Sequence, residues 1–136
     1  MNLPLTVRSD YYKALLVLLK RDRIIHPRER DLMIRIGEML DFDRRFCEAV
    51  INDLLSNVHI SRTPVIFADE NIKDCFFRDA LRVALVDGEF HPKELSWLRR
   101  MARANGRSDR WLDVIIEESL KRHDRDSAPL QIQHCI

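Results

Sequence analysis

The chain has 136 residues, of which 33% are charged and 46% hydrophobic, a balance that is typical of a soluble globular protein. This length suits one domain with a real core. Lys and Arg number 23 against 22 for Asp and Glu, so the net charge of +1 gives no reason to expect a nucleic acid or an anionic membrane as partner. The richest apolar run, residues 14–20, is far shorter than the ~20 residues of a membrane span, and the first residues lack the apolar stretch of a signal peptide. We therefore expect a cytoplasmic protein without direct membrane insertion.

Apolar residues recur at helical spacing along the first half of the chain, and no alternating strand pattern persists. A first helix is predicted over about 10–20, with Ser9 as its N-cap, and it is apolar nearly all round, as a buried central helix would be. A second helix is predicted from Pro27 to Leu40. A third follows the capping Asp of the DFD at 41–43. Its expected core positions are Phe46, Cys47, Val50, Ile51 and Leu54.

The second half of the chain has the same kind of pattern after a long connection over about 56–70. Thr63–Pro64 rules out a continuous helix within this connection. A fourth helix is predicted over about 70–86 and a fifth over 92–105, where Asn105–Gly106 signals a stop. Ser108 is the expected N-cap of a sixth helix. Its expected inward positions are Trp111, Val114, Ile115 and Leu120.

An eight-residue phrase occurs twice, as DRIIHPRE at 22–29 and as DGEFHPKE at 87–94. The same shift of 65 residues aligns apolar positions elsewhere, among them Leu16 with Leu81 and Phe46 with Trp111. The sequence therefore predicts an all-α single domain over 1–136, built from two three-helix halves related by a pseudo-twofold axis. Its parts are a first repeat over about 10–55, the connection 56–70, a second repeat over about 70–122 and a tail over 123–136.

Each phrase has the chemistry of a helix start. Pro27 and Pro92 suit the first helical position, and the preceding histidines then become N-caps. Glu29 and Glu94 fall at the third helical position, where a carboxylate can accept from the N–H of the cap. Capping explains the proline and the glutamate of each phrase, but it does not require an aspartate seven residues before the glutamate.

The alternative interpretation of the phrases is a site for a hard divalent cation. Asp22, Glu29, Asp87 and Glu94 would supply carboxylate oxygens, which suit Ca²⁺, Mg²⁺ or Mn²⁺. Glu89, His91 and His26 are secondary candidates, and the histidines would suit Zn²⁺ better. One phrase supplies too few ligands for a tight site by itself, so weak binding is the expectation. Arg23 stands where the second copy has Gly88, which favours the second phrase.

The repeated pattern D-G-x-apolar-x-x-x-E between two helices resembles that of the TerB-like family, which includes tellurite-resistance proteins and a related domain of membrane-anchored DnaJ-type co-chaperones. The match consists of Asp87, Gly88, Phe90 and Glu94 within ALRVALVDGEFHPKELSWLRRMA, with Asp22, Ile25 and Glu29 as a second copy. The resemblance extends over roughly residues 11–120. It implies an all-helical fold of two halves, no known catalysis, a divalent-cation site at Asp22, Glu29, Asp87 and Glu94, and a role in bacterial stress response or in scaffolding partner proteins.

No catalytic constellation is visible in the sequence, so the chain is not expected to be an enzyme. Two hypotheses remain for its function. The first is weak cation binding at the acidic loops. The second is a metal-independent scaffold that binds another protein through a helical groove or through an arginine-bearing face. That face comprises Arg99, Arg100, Arg103, Arg107 and Arg110, whose ordinary interpretation is a solvated helix surface.

Overall fold

A computed structural model of the chain describes residues 3–19, 25–56, 63–86 and 90–121, with the side chain of residue 55 left aside. These residues form helices and connecting segments without a β-strand, which confirms the all-α prediction for the described ranges. In chain order the helices are α1 (Leu5–Leu19), α2 (Pro27–Met39), α3 (Arg44–Ser56), α4 (Glu70–Leu85), α5 (Pro92–Ala104) and α6 (Asp109–Lys121). None of the helices in these ranges is both long and apolar enough to span a membrane.

The start of α1 differs from the prediction. Ser9 lies inside the helix, which begins at Leu5, so the expected N-cap at this position is wrong. The first turn carries few apolar residues that contact the core, and this is why helical periodicity did not reveal it. From Tyr11 onward α1 is buried almost all round, as expected for a central helix.

The other helix starts follow local capping chemistry. The Asp43 carboxylate accepts from the N–H of Phe46 at 3.0 Å, and the Ser108 hydroxyl accepts from that of Trp111 at 3.0 Å. Asp69 caps α4 by accepting from the N–H of Asn71 at 2.7 Å. After α5 the chain turns at Gly106, whose φ of 74° suits glycine.

The helices repeat with the shift that the sequence indicates. Each helix of the second half begins 65 residues after its counterpart: α4 after α1, α5 after α2 and α6 after α3. Between the halves α1 packs on α4, and the contact of α1 with α5 is matched by the contact of α4 with α2. This pattern is what a twofold relation would produce, and the relation itself stays a prediction.

The core lies where α1 and α4 meet, surrounded by the remaining helices. Phe76 is its aromatic centre, with ring centroids 5.4 Å from Tyr11 and 5.2 Å from Phe77. The connection before α4 is fastened to this core by Asn105, a buried side chain that accepts from the N–H of Phe67 at 2.9 Å and donates to the carbonyl of Val65 at 2.8 Å.

Candidate functional site

The predicted cation ligands fall into two groups. Asp22, Asp87 and Glu89 lie outside the described residues. Glu29 and Glu94 are described, and each is only 1% exposed at the N-terminus of its helix. The structure therefore brings each glutamate into the protein rather than onto an open surface.

Both glutamates act in helix capping, as the sequence predicts. Oε1 of Glu29 accepts from the backbone N–H of His26 at 3.0 Å, and Oε1 of Glu94 accepts from that of His91 at 3.1 Å. Nδ1 of His26 also accepts from the N–H of Arg28 at 3.1 Å, which gives the unusual histidine cap a physical role. One oxygen of each carboxylate is thus already occupied by the helix that follows.

Among the described residues, no three or more His, Cys, Asp or Glu side chains are grouped so that they could hold a metal ion. The described part of the predicted site therefore consists of two separate capping boxes, one in each half. His26 is exposed and His91 half-buried, each beside its own glutamate.

A groove lies between α1 and α3, a place that the sequence did not predict for the helical groove of the scaffold hypothesis. Its volume is about 250 Å³. It is lined by Ser9, Tyr12, Lys13 and Leu16 from α1, by Phe42 from the turn, and by Phe46, Val50, Asp53 and Leu54 from α3. Most of the lining is apolar, and Phe46 is 48% exposed although helical spacing predicted it in the core.

The equivalent place in the second half is closed. There α4 packs directly on α6, with the ring centroids of Phe77 and Trp111 5.4 Å apart. Across the same junction Arg78 forms an ion pair with Glu118 at 3.2 Å.

Arg107 completes this closure at the end of the junction. It pairs with Glu70 and with Asp74, each at 2.8 Å, while its guanidinium lies 5.2 Å from the ring centroid of Trp111. These charged and aromatic contacts tie α4, α6 and the turn between α5 and α6 into one packed unit.

The first half lacks the ion pairs of Arg107 because the residues differ at the matching positions, whereas its aromatic and charged residues at the other closing positions are of the same kind. With the shift of 65 residues, Phe42 stands where Arg107 does and Ser9 where Asp74 does. Arg8 contacts Phe42, with the guanidinium 5.8 Å from the ring centroid, and donates to the carbonyl of Leu40 at 3.0 Å. That contact secures the turn but leaves the space between α1 and α3 open.

Two opposite charges stand on the two walls of the groove. Lys13 on α1 and Asp53 on α3 occupy the positions of Arg78 and Glu118, and both are exposed. Within the described ranges neither side chain forms an ion pair or a hydrogen bond, so the pairing that closes the second half is missing here. The groove thus has an apolar floor between one cation and one anion.

Beneath the groove lies a small polar cluster in which the thiol of Cys47 is free and buried. The Tyr12 hydroxyl donates to the carbonyl of Met33 at 2.9 Å. Burial raises the pKa of Tyr12, and a hydrogen bond with Cys47 adds to this; burial also raises the pKa of the Cys47 thiol. Both groups therefore stay protonated at neutral pH.

The arginine-bearing face is largely neutralised by acids of the same chain. Arg99 pairs with Asp113 at 3.0 Å and Arg103 with Asp109 at 2.8 Å, in addition to the pairs of Arg107. These contacts support the interpretation of this face as a solvated helix surface.

No protein-family model, curated protein or solved structure matches the chain. The resemblance to TerB-like proteins stays a prediction based on the repeated loop. Aligning the halves places Lys13 and Asp53 at the positions of Arg78 and Glu118 and Phe42 at that of Arg107, but it does not show that the space between α1 and α3 is open.

Proposed function

We propose that the chain is a non-enzymatic protein-interaction module that binds its partner in the groove between α1 and α3. The observation that carries this proposal is the difference between the two halves. The junction of α4 and α6 is closed by Phe77, Trp111 and the Arg78–Glu118 pair, whereas the corresponding junction of the first half is open and apolar.

The open groove has the composition of a protein-binding site. Aromatic residues are enriched at such sites because they bury much apolar area at a small cost in conformational entropy. Phe42 and Phe46, whose ring centroids are 5.2 Å apart, form one such pair along the groove. Lys13 and Asp53 supply charges at the rim, where they select for orientation and register. The resemblance to TerB-like proteins adds bacterial stress response, or association with a co-chaperone, as the setting.

Weak binding of a divalent cation at the repeated loops is the second function that the sequence indicates. Glu29 and Glu94 are the described carboxylates available for it, and each already accepts a hydrogen bond within its cap. A cation at either loop would have to share that carboxylate with the helix start. We therefore place the interaction function first.

Selection of peptides from a displayed library tests the proposed function. Selected peptides are expected to share an apolar core flanked by charges, and they should lose binding to Phe46→Glu by about 10-fold or more because burying an unpaired carboxylate is costly. Val114→Glu is the matched control, since Val114 is 47% exposed on α6, away from the groove. Binding that survives Phe46→Glu, or that is lost equally in both variants, would contradict the proposal.

A further inference from the structure

We propose that the occupant of the groove is the same surface of a second copy of this chain, in a homodimer with twofold symmetry. The inference rests on the proposed function and adds the identity of the partner. Its basis is the placement of the two opposite charges of the groove on facing walls.

The charge pattern of the groove is self-complementary. Lys13 lies on the α1 wall and Asp53 on the α3 wall, and neither has an ion-pair partner within the described residues. A twofold axis that passes between the walls places Lys13 of one copy opposite Asp53 of the partner subunit. The same operation generates the reciprocal pair, so one contact satisfies four charges.

The repeat shows that these charges are suited to pair. At the equivalent positions of the second half, Arg78 and Glu118 form an ion pair at 3.2 Å across the junction of α4 and α6. In the first half the open groove separates the corresponding residues. In the dimer Lys13 and Asp53 would form between subunits the kind of ion pair that Arg78 and Glu118 form within the chain.

The apolar surface around the groove is suited to the same contact. Phe46 is 48% exposed at the edge of the groove and Leu5 is 59% exposed. Leu5 lies one helical turn before Ser9, so it extends the groove-lining stripe of α1. In an isologous contact the two Phe46 rings enter the space between the helices of the opposite copy, and the exposed apolar area of both subunits is removed from water.

Charge reversal tests this arrangement by sedimentation velocity over a concentration series. The chain has a mass of 16.2 kDa, and the apparent mass of the wild type from sedimentation is expected to be twice that value. Lys13→Asp places two pairs of like charges in the dimer, as does Asp53→Lys, and each change is expected to raise the dimer Kd by about 10-fold or more. An equimolar mixture of the two variants has opposite charges at both contacts, so a heterodimer should form with a Kd within about 3-fold of the wild-type value.

Matched controls use the second half. Arg78→Asp and Glu118→Lys reverse the equivalent charges within the chain and should leave the dimer Kd unchanged, while circular dichroism verifies that every variant is folded. Selected peptides that bind the groove should dissociate the wild-type dimer.

A wild-type chain that stays monomeric while peptides still bind through Phe46 would overturn the dimer and leave the interaction function standing. A dimer that both charge variants preserve, or a mixture that fails to associate, would also overturn it. If neither a second copy nor a peptide uses the groove, the proposed function fails as well.

Discussion

The hydroxyl of Tyr11 on α1 donates a hydrogen bond of 2.7 Å to Oδ2 of Asp79 on α4, and both side chains are buried where the two halves meet. The pair is not repeated, because the positions related by the shift of 65 are Phe76 and Ala14. A buried carboxylate is tolerated only when it is hydrogen-bonded, so this contact gives the packing of α1 on α4 one specific register.

Tyr11→Phe removes this hydrogen bond while it keeps the ring. Because the acceptor is a buried carboxylate, the free energy of unfolding should fall by about 1.5–3 kcal/mol. Tyr12→Phe is the control, since its hydroxyl donates to a neutral carbonyl of Met33 and its loss should cost about 0.5–1.5 kcal/mol. Urea unfolding followed by circular dichroism measures both changes. Equal losses in the two variants would show that the charge of Asp79 adds nothing.

The same two tyrosines predict sensitivity to alkaline pH. Burial raises the pKa of Tyr11 and of Tyr12 above the ordinary value of 10.0, and the nearby Asp79 carboxylate adds to the rise at Tyr11. Because each folded pKa exceeds the unfolded one, the unfolded chain loses its proton first. Their stabilising contribution is complete below pH 10 and is lost above it, by up to about 1.4 kcal/mol per pH unit for each tyrosine.

Urea unfolding between pH 8 and pH 11 checks this dependence. The free energy of unfolding of the wild type should decline more steeply above pH 10 than that of Tyr12→Phe, which has one such group fewer. The two profiles should be parallel below pH 9. Parallel profiles over the whole range would mean that Tyr12 ionises as readily in the folded protein as in the unfolded chain.

Local chemistry made much of the fold predictable from the sequence. Pro27 and Pro92 mark helix starts because proline fixes φ and lacks an N–H, and Asp43 and Ser108 cap helices through their own side chains. These signals involve residues that are close together in the chain, so they can be recognised in a single sequence. The 65-residue shift then located the helices of one half from those of the other.

The location of the groove was not predicted because it depends on how α1 packs beside α3, and these two helices are far apart along the chain. Phe46 has the helical spacing of a core residue, yet it is 48% exposed because α1 does not close against α3. Val114 and Leu120 likewise have helical spacing and are 47% and 51% exposed on the outer side of α6. Periodicity shows which residues share a face of a helix, but it does not show whether another helix covers that face.

Gly37 allows the close packing of α2 beside the polar cluster under the groove. A Cβ at this position would collide with Sγ of Cys47 and lie 3.0 Å from the Tyr12 hydroxyl oxygen. Gly37→Ala should therefore lower the free energy of unfolding by about 1–3 kcal/mol, although alanine favours a helix. The equivalent position of the second half already holds Ala102, where Phe77 has no hydroxyl.

A double-mutant cycle with Cys47→Ala tests the cause of that loss. Removing Sγ makes room for the new methyl group, so Gly37→Ala should cost at least about 1 kcal/mol less in the Cys47→Ala background than in the wild type. Chemical unfolding of the four proteins measures the coupling. Additive effects would show that the collision with Cys47 is not what limits this position.

Substitutions of Glu94 in the second repeated loop can distinguish a role in helix capping from a role in cation binding. The cap needs a hydrogen-bond acceptor at residue 94, which glutamine can supply, whereas a cation site needs the carboxylate. Glu94→Ala should lower the free energy of unfolding by about 1–2 kcal/mol and Glu94→Gln by less, because only the alanine variant loses the acceptor.

Titration of Ca²⁺, Mg²⁺, Mn²⁺ or Zn²⁺ into the metal-free wild type, with amide shifts followed by NMR, then examines the loops directly. If a cation binds there, shifts should appear near Glu94 in the wild type and vanish in Glu94→Gln while the fold is retained. Absence of shifts at millimolar cation would leave capping as the role of both glutamates.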